Sequence, residues 1–149
     1  MNYTALSNLD INSFCRVGEE DEEITIPFVS IKVPAGSPCP ADQYIEESIN
    51  LNKVLVRKHK ATFCIRVVGD SMTDAGINED DILVVDSSIA PNHNKIVVAA
   101  VDGDLTVKRL HYEKGKVLLY PENSKYSPIE IKGKDLNIWG VVTFIIHQT

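Results

Sequence analysis

Cysteine is scarce in this chain of 149 residues, and long apolar runs and net positive charge are absent. The three cysteines, Cys15, Cys39 and Cys64, are odd in number and far apart, so they indicate neither a disulfide framework nor a Cys-x-x-Cys metal site. No apolar run approaches the roughly 20 residues that a membrane-spanning helix needs. The net charge of −6 argues against a DNA-binding surface, because phosphate binding requires a basic footprint.

Other sequence signals are missing as well. The start, Met1–Ala5, lacks the basic residues and apolar stretch of a signal peptide. Cys64 stands inside an apolar run, where a small buried side chain is the simplest interpretation. The histidines show no metal-ligand spacing; they are His59, His93, His111 and His147. We therefore expect a cytoplasmic protein with no membrane contact, no metal and no cofactor.

The composition that remains is typical of a soluble globular domain, with 44% hydrophobic and 24% charged residues. Asp102–Gly103 stands between two β-prone runs and predicts a two-residue hairpin turn. Predicted strands follow one another at about 62–68, 81–86, 95–101, 104–111, 116–120 and 138–147. The pattern predicts a mainly β fold, a compact domain of short, mostly antiparallel strands with one short helix.

The N-terminal region has a different character. Residues 1–23 end in the five acids Glu19–Glu23, which repel one another and predict a mobile arm. The segment Ile24–Val33 is β-branched and is expected to be extended. We predict the short helix at about Ala41–Ser48 and another extended piece at Leu51–Leu55.

Two residues in the β-rich region have the chemistry of a nucleophile and its base. Ser71 lies in a turn directly after the apolar run Phe63–Val68, and Lys108 lies within Leu105–Leu110. A hydroxyl is a weak nucleophile until a base takes its proton, and a desolvated lysine amine is such a base. The ordinary alternatives are a serine that closes a turn and a lysine that extends to solvent.

The same turn offers groups that stabilise negative charge. The main-chain N–H groups of Ser71 and Met72 are candidates for an oxyanion hole, whereas the Met72 side chain is expected to pack beside the site. We interpret Asp70 as a turn residue, because a carboxylate touching Lys108 would raise the pKa of that amine and weaken the base.

These motifs, taken in order, resemble a known family. The runs Val68–Ile77 and Asp81–Asp86 are similar to the self-cleaving Ser–Lys peptidases of the LexA, phage-repressor and UmuD family. Ala99–Gly103, Thr106–Lys108 and Tyr126–Ile129 are most similar to UmuD and its plasmid-borne relatives such as MucA. The resemblance covers roughly residues 25–147 and implies a LexA-like peptidase domain.

The resemblance also implies a substrate within the chain. Ala35–Gly36, in the loop Pro34–Pro40, matches the family's scissile pair of a small residue followed by glycine; without the match it would be an ordinary linker. Ser71 would attack the Ala35 carbonyl while Lys108 accepts the proton and later returns it to the Gly36 amine. Cleavage would remove an arm, residues 1–35, and leave a peptidase and dimerisation domain, residues 36–149.

The implied role is that of an SOS mutagenesis protein. A RecA–single-stranded DNA filament would stimulate self-cleavage, and the processed homodimer would serve a UmuC-like Y-family polymerase. Direct sequence-specific DNA binding is not expected. The alternatives are a LexA-like or phage-repressor-like regulator inactivated by self-cleavage, and a catalytically dead β-module. The apolar run Ile138–Ile146 is either a core strand or a dimer surface.

Overall fold

The computed structural model describes residues 23–29, 32–38 and 46–149. The described residues fall into two compact units, which divide between Leu55 and Val56. The predicted arm, residues 1–23, lies outside the described residues except for Glu23. Its mobility therefore stays a prediction.

The smaller unit contains a two-stranded antiparallel sheet of β1 (Ile26–Val29) and β2 (Glu46–Ile49), in which Pro27 faces Ser48. A five-residue helix, α1 (Leu51–Leu55), follows. Lys53 of this helix forms an ion pair with Glu23. The extended segment predicted around β1 is confirmed over these four residues.

The two other local predictions in this unit are wrong over the described residues; residues 41–45 of the predicted helix lie outside them. Residues 46–48 of the predicted helix form β2, because pairing with β1 outweighs the weak helical pattern of a short segment. Leu51–Leu55, predicted as extended, is helical. Asn50 caps this helix, since its Oδ1 accepts a hydrogen bond from the Lys53 N–H at 3.3 Å, and asparagine is a preferred N-cap residue.

The larger unit is built on a seven-stranded antiparallel sheet with the strand order β3-β4-β9-β5-β6-β7-β8. Its strands are β3 (Thr62–Arg66), β4 (Ile82–Asp86), β5 (Ile96–Val101), β6 (Asp104–Glu113), β7 (Lys116–Tyr120), β8 (Ile129–Glu130) and β9 (Leu136–Ile146). Six of the seven were predicted, with ends that differ by a few residues. The mainly β, antiparallel fold class is confirmed.

The predicted hairpin turn joins β5 to β6. Asp102 and Gly103 both have positive φ angles, 48° and 96°, as a two-residue turn of this kind requires. The turn sets the register in which Val97 faces Lys108. The hairpin therefore holds Lys108 within a paired strand, away from the solvated tip.

Strand β5 is buried on both faces, as its unbroken apolar sequence indicates. Ile96 and Val98 contribute to a core cluster around Met72, Ile77 and Leu83. A second cluster takes the alternate residues of the strand; it contains Val97, Ala99, Leu110, Leu119 and Val141. The two clusters fix the strands that carry the candidate site.

The last strand, β9, lies in the middle of the sheet, between β4 and β5. Both of its edges are paired, and Val141 in its middle is buried. The interpretation of Ile138–Ile146 as a core strand is confirmed for this inner part. The described part of the chain contains no helix long and apolar enough to cross a membrane.

Cys64 differs from its prediction. Its side chain is exposed, because Phe63 and Ile65 of β3 pack against the core cluster around Leu83, whereas Cys64 lies on the opposite face of the strand. The β-strand alternation, rather than the apolar character of the neighbouring residues, decides this exposure.

The close approach of β9 to β4 gives a stability prediction. A Cβ atom built on Gly140 lies 2.8 Å from Val85 Cγ1 and 3.0 Å from the Asp86 carbonyl carbon and oxygen. We expect Gly140→Ala to lower the free energy of unfolding by about 1–3 kcal/mol, since a packed core resists added volume. Urea unfolding measures the change. Gly36→Ala adds the same methyl group in open space and is the control. Equal stability of the two variants would contradict the prediction.

Candidate active site

Ser71 lies in a tight turn that follows β3. Gly69 has a φ of 88°, a left-handed conformation that glycine adopts without strain, and the Thr73 N–H donates to the Asp70 carbonyl. A short 3-10 helix, Thr73–Ala75, completes the turn. The local sequence thus turns the chain sharply and places Ser71 at the point of reversal.

Lys108 approaches this turn from β6 and is only 8% exposed. Its Nζ lies 2.7 Å from Ser71 Oγ, 3.0 Å from Thr106 Oγ1 and 2.9 Å from the Val107 carbonyl oxygen. Burial lowers the pKa of Lys108 below its ordinary value of 10.5, because desolvation disfavours the ammonium form. The structure therefore brings the predicted nucleophile and base into direct contact.

The three partners of Nζ fit a neutral amine. Such an amine has two N–H donors and one lone pair, and the Val107 carbonyl can only accept. If the second N–H donates to Thr106 Oγ1, the lone pair is left to accept the Ser71 hydroxyl proton. In this arrangement every hydrogen-bonding position of the amine is used, and the Ser71 hydroxyl donates to a group that can accept its proton, as the predicted nucleophile requires.

The carboxylate next to Ser71 is directed elsewhere. Asp70 accepts a hydrogen bond from the Tyr126 hydroxyl and lies 3.7 Å from Lys125 Nζ. The hydrogen bond from Tyr126 is the main cause that lowers the pKa of Asp70. No described carboxylate forms an ion pair with Lys108, so desolvation acts on this amine without an opposing charge in contact.

The predicted oxyanion donors lie in the same turn. Among the described residues, none accepts a hydrogen bond from the main-chain N–H of Ser71 or Met72. The Met72 side chain is 3% exposed and belongs to the core cluster around Leu83, so its predicted packing role is confirmed. Both N–H groups therefore remain predicted donors to a developing oxyanion.

A cleft of about 330 Å³ opens beside Ser71. Its apolar lining includes Ile65, Val67, Val98, Leu105, Val107 and Trp139. The apolar part of this lining favours small apolar side chains.

The predicted scissile residues, Ala35 and Gly36, lie in an exposed bend of the smaller unit, residues 35–37. A Cβ atom built on Gly36 meets nothing within 4 Å. The described bend thus presents an accessible peptide bond.

Sequence reasoning missed the segment that holds the Ser71 turn. The Glu122 N–H donates to the Ser71 carbonyl at 2.8 Å, and the Glu122 carbonyl accepts from the Asp74 N–H at 2.8 Å. Asn123 Nδ2 donates to the Asp70 carbonyl at 2.8 Å. Nothing in the sequence indicated that the segment after β7 would bind residues about 50 positions earlier.

The buried amine gives a pH-dependent prediction. A lowered pKa means that the folded state binds fewer protons than the unfolded state between the folded pKa of Lys108 and about 10.5. Stability due to this group therefore rises with pH across that window. We expect Lys108→Met to remove the rise, so that its stability relative to the wild type falls as the pH increases.

Urea unfolding at several alkaline pH values measures this difference. Lys116→Met, at an exposed position of β7, is the reference for removing a surface lysine. A wild-type and Lys108→Met difference that does not change with pH would contradict a lowered pKa for Lys108.

Comparison with known proteins agrees with this geometry. The family model described as Peptidase S24-like matches residues 27–143. Protein SamA of Salmonella typhimurium is 40% identical over 131 residues, with 88% of this chain and 91% of SamA covered. Protein MucA of Escherichia coli is 40% identical over 121 residues, with 80% and 82% covered. The LexA repressor of Shewanella piezotolerans is 38% identical over 131 residues, with 87% of this chain and 63% of the repressor covered.

The family match spans most of the described residues, including both strands that border the Ser71 turn and the strand that carries Lys108. The resemblance inferred from the motifs is thereby confirmed. The chain belongs to the Peptidase S24-like family and is a UmuD- and MucA-like member of it.

Proposed function

We propose that this protein is a serine peptidase that cleaves its own chain between Ala35 and Gly36. The observation that carries the proposal is the 2.7 Å contact between Ser71 Oγ and the buried Nζ of Lys108. Membership of the peptidase family supports the same chemistry. A surface lysine hydrogen-bonded to a serine would stay protonated at neutral pH, whereas desolvation favours the neutral base.

The reaction follows from the roles of these two residues. Lys108 Nζ takes the hydroxyl proton while Ser71 Oγ bonds to the Ala35 carbonyl carbon, and the N–H groups of Ser71 and Met72 stabilise the oxyanion. Lys108 then gives its proton to the Gly36 nitrogen, and the Ala35–Gly36 bond breaks. Lys108 then takes a proton from water, the resulting hydroxide attacks the acyl-enzyme ester, and Lys108 returns the proton to Ser71 Oγ as the ester bond breaks.

A substrate within the same chain makes regulation necessary. Tethering gives the scissile peptide a high effective concentration, so unrestrained cleavage would be immediate. In our proposal the competent arrangement is a minor conformer, and a RecA–single-stranded DNA filament raises its population. This partner comes from the resemblance to UmuD-like proteins.

The biological role proposed is SOS mutagenesis. Cleavage separates an arm, residues 1–35, from a peptidase and dimerisation domain, residues 36–149. The processed homodimer then serves as the accessory subunit of a UmuC-like Y-family translesion polymerase. Support comes from the similarity to SamA and MucA along most of their lengths.

A second candidate is a transcriptional regulator inactivated by self-cleavage. The 38% identity to a LexA repressor favours it, although the match covers 63% of that protein. The net charge of −6 disfavours DNA binding by this chain, since phosphate contacts need a basic surface. An electrophoretic shift with operator-like duplexes at physiological salt separates the two; tight, sequence-specific binding would support the regulator.

Self-cleavage gives the direct test. We expect purified full-length protein at alkaline pH to yield a product that begins at Gly36, detected by intact-mass spectrometry. The rate should rise with pH until Lys108 is fully neutral, because only the neutral amine acts as the base. A RecA filament should produce the same fragment near neutral pH.

The matched variants are Ser71→Ala and Lys108→Ala, each of which should abolish the Gly36 product. Circular dichroism establishes that the variants remain folded. Absence of the product from the wild type under both conditions would refute the peptidase proposal, as would continued cleavage at Gly36 in folded Ser71→Ala protein.

A further inference from the structure

An ion pair lies directly beside the candidate base. Arg109, the residue after Lys108 on β6, pairs through its Nε with the Glu122 carboxylate, and both side chains are 28% exposed. The other end of the guanidinium donates from Nη1 to the Asn94 carbonyl at 2.8 Å. Arg109 therefore has fixed partners on two sides, an arrangement that the planar guanidinium favours and a lysine cannot reproduce.

Glu122 connects this pair to the nucleophile. Its main-chain N–H donates to the Ser71 carbonyl and its carbonyl accepts from the Asp74 N–H, both at 2.8 Å. The first bond is to Ser71 itself and the second is to a residue three positions later in the same turn. A displacement of Glu122 would thus move the turn that carries the attacking hydroxyl.

The Arg109–Glu122 ion pair lies just beyond the end of the β6–β7 strand pairing. The β6–β7 ladder terminates with Arg109 opposite Tyr120, and the next residue, Pro121, has no N–H to extend it. Beyond that point the Arg109–Glu122 ion pair is the side-chain link that ties the loop back to β6. The strand that holds the base and the loop that holds the nucleophile are joined at this link.

We infer that Arg109 and Glu122 are positioning residues for self-cleavage, which hold the Ser71 turn at bonding distance from Lys108. The inference rests on the proposed function. Neither side chain contacts Ser71 Oγ or Lys108 Nζ in the described hydrogen bonds, so the pair acts through the Glu122 main chain. Because the two charges compensate each other, their joint removal changes the position of the hydroxyl more than the charge around the amine.

The first measurement is the pH profile of self-cleavage in the full-length chain. Arg109→Ala and Glu122→Ala should each lower the maximal rate by about 10- to 100-fold, the effect of a misplacement near 1 Å, without moving the midpoint of the profile. The isosteric Glu122→Gln variant should show the same loss and guards against a folding defect. Arg109→Ala/Glu122→Ala should be no slower than either single variant, because both remove one link.

The control is another ion pair of the same sheet. Lys116 Nζ lies 3.1 Å from Glu130 Oε1 between β7 and β8, on exposed side chains with no bond to the Ser71 turn. Lys116→Ala and Glu130→Ala should keep the cleavage rate within about twofold of the wild type, the size of a typical exposed ion pair's effect. A loss as large as that of Glu122→Ala would overturn the inference.

A second readout does not require peptidase activity. In Ser71→Cys protein, a thiol next to Lys108 should have a raised thiolate fraction and react faster with iodoacetamide than the same thiol in Ser71→Cys/Lys108→Ala. Peptide-resolved mass spectrometry measures the ratio of the two alkylation rates, with Lys108 and without it, and the exposed Cys64 is the internal reference. Adding Arg109→Ala or Glu122→Ala should bring the ratio close to one.

The two readouts separate the two proposals. If the wild type yields no Gly36 product, the peptidase function is refuted. If the alkylation-rate ratio still depends on Arg109 and Glu122 in that case, the positioning role is supported. Three results would each overturn the positioning role. The losses of cleavage rate in the two single variants could multiply in the double variant, or the midpoint of the pH profile could shift while the maximal rate stays unchanged. The alkylation-rate ratio could also be the same with and without Arg109 and Glu122.

Discussion

Burying the Lys108 amine beside Ser71 costs free energy when the amine is charged, and the architecture around it reduces that cost. Nζ has three hydrogen-bond partners that satisfy a neutral amine, while the carboxylate closest in sequence to the serine, Asp70, is bound by Tyr126 and Lys125. The neutral form of the buried Lys108 amine therefore has a lower free energy cost than the charged form. In the proposed self-cleavage, this neutral amine is the base that accepts the Ser71 proton.

The sheet and the loops divide the task of holding this contact. The hairpin at Asp102–Gly103 sets the register of β6, and two core clusters contain residues of β5, β6 and β9. The Ser71 turn, by contrast, depends on main-chain bonds to the loop after β7, where Glu122 binds the Ser71 carbonyl and the Asp74 N–H. The paired strands thus hold Lys108, and the hydrogen-bonded loop after β7 positions the turn that contains Ser71.

The sequence predicted features that arise locally or repeat a known motif. Alternation and turn residues located six strands of the larger sheet, and the motif around Ser71 with Lys108 identified the two residues that the structure joins. Prediction from the sequence failed where contacts between residues distant in sequence determine the structure. Strand β2 forms because β1 pairs with it, and Glu122 binds a turn 51 residues earlier. Asn50 did carry a local signal for α1, as an N-cap, which the apolar pattern of Leu51–Leu55 concealed.

The place of β9 in the sheet has a consequence for synthesis of the protein. Ser71 follows β3, Lys108 lies on β6, and β9 stands between those two halves although it is made after all the other strands. A nascent chain cannot complete the seven-stranded sheet until residues 136–146 have emerged. Under the proposed function, this order of synthesis would delay self-cleavage until the sheet is complete.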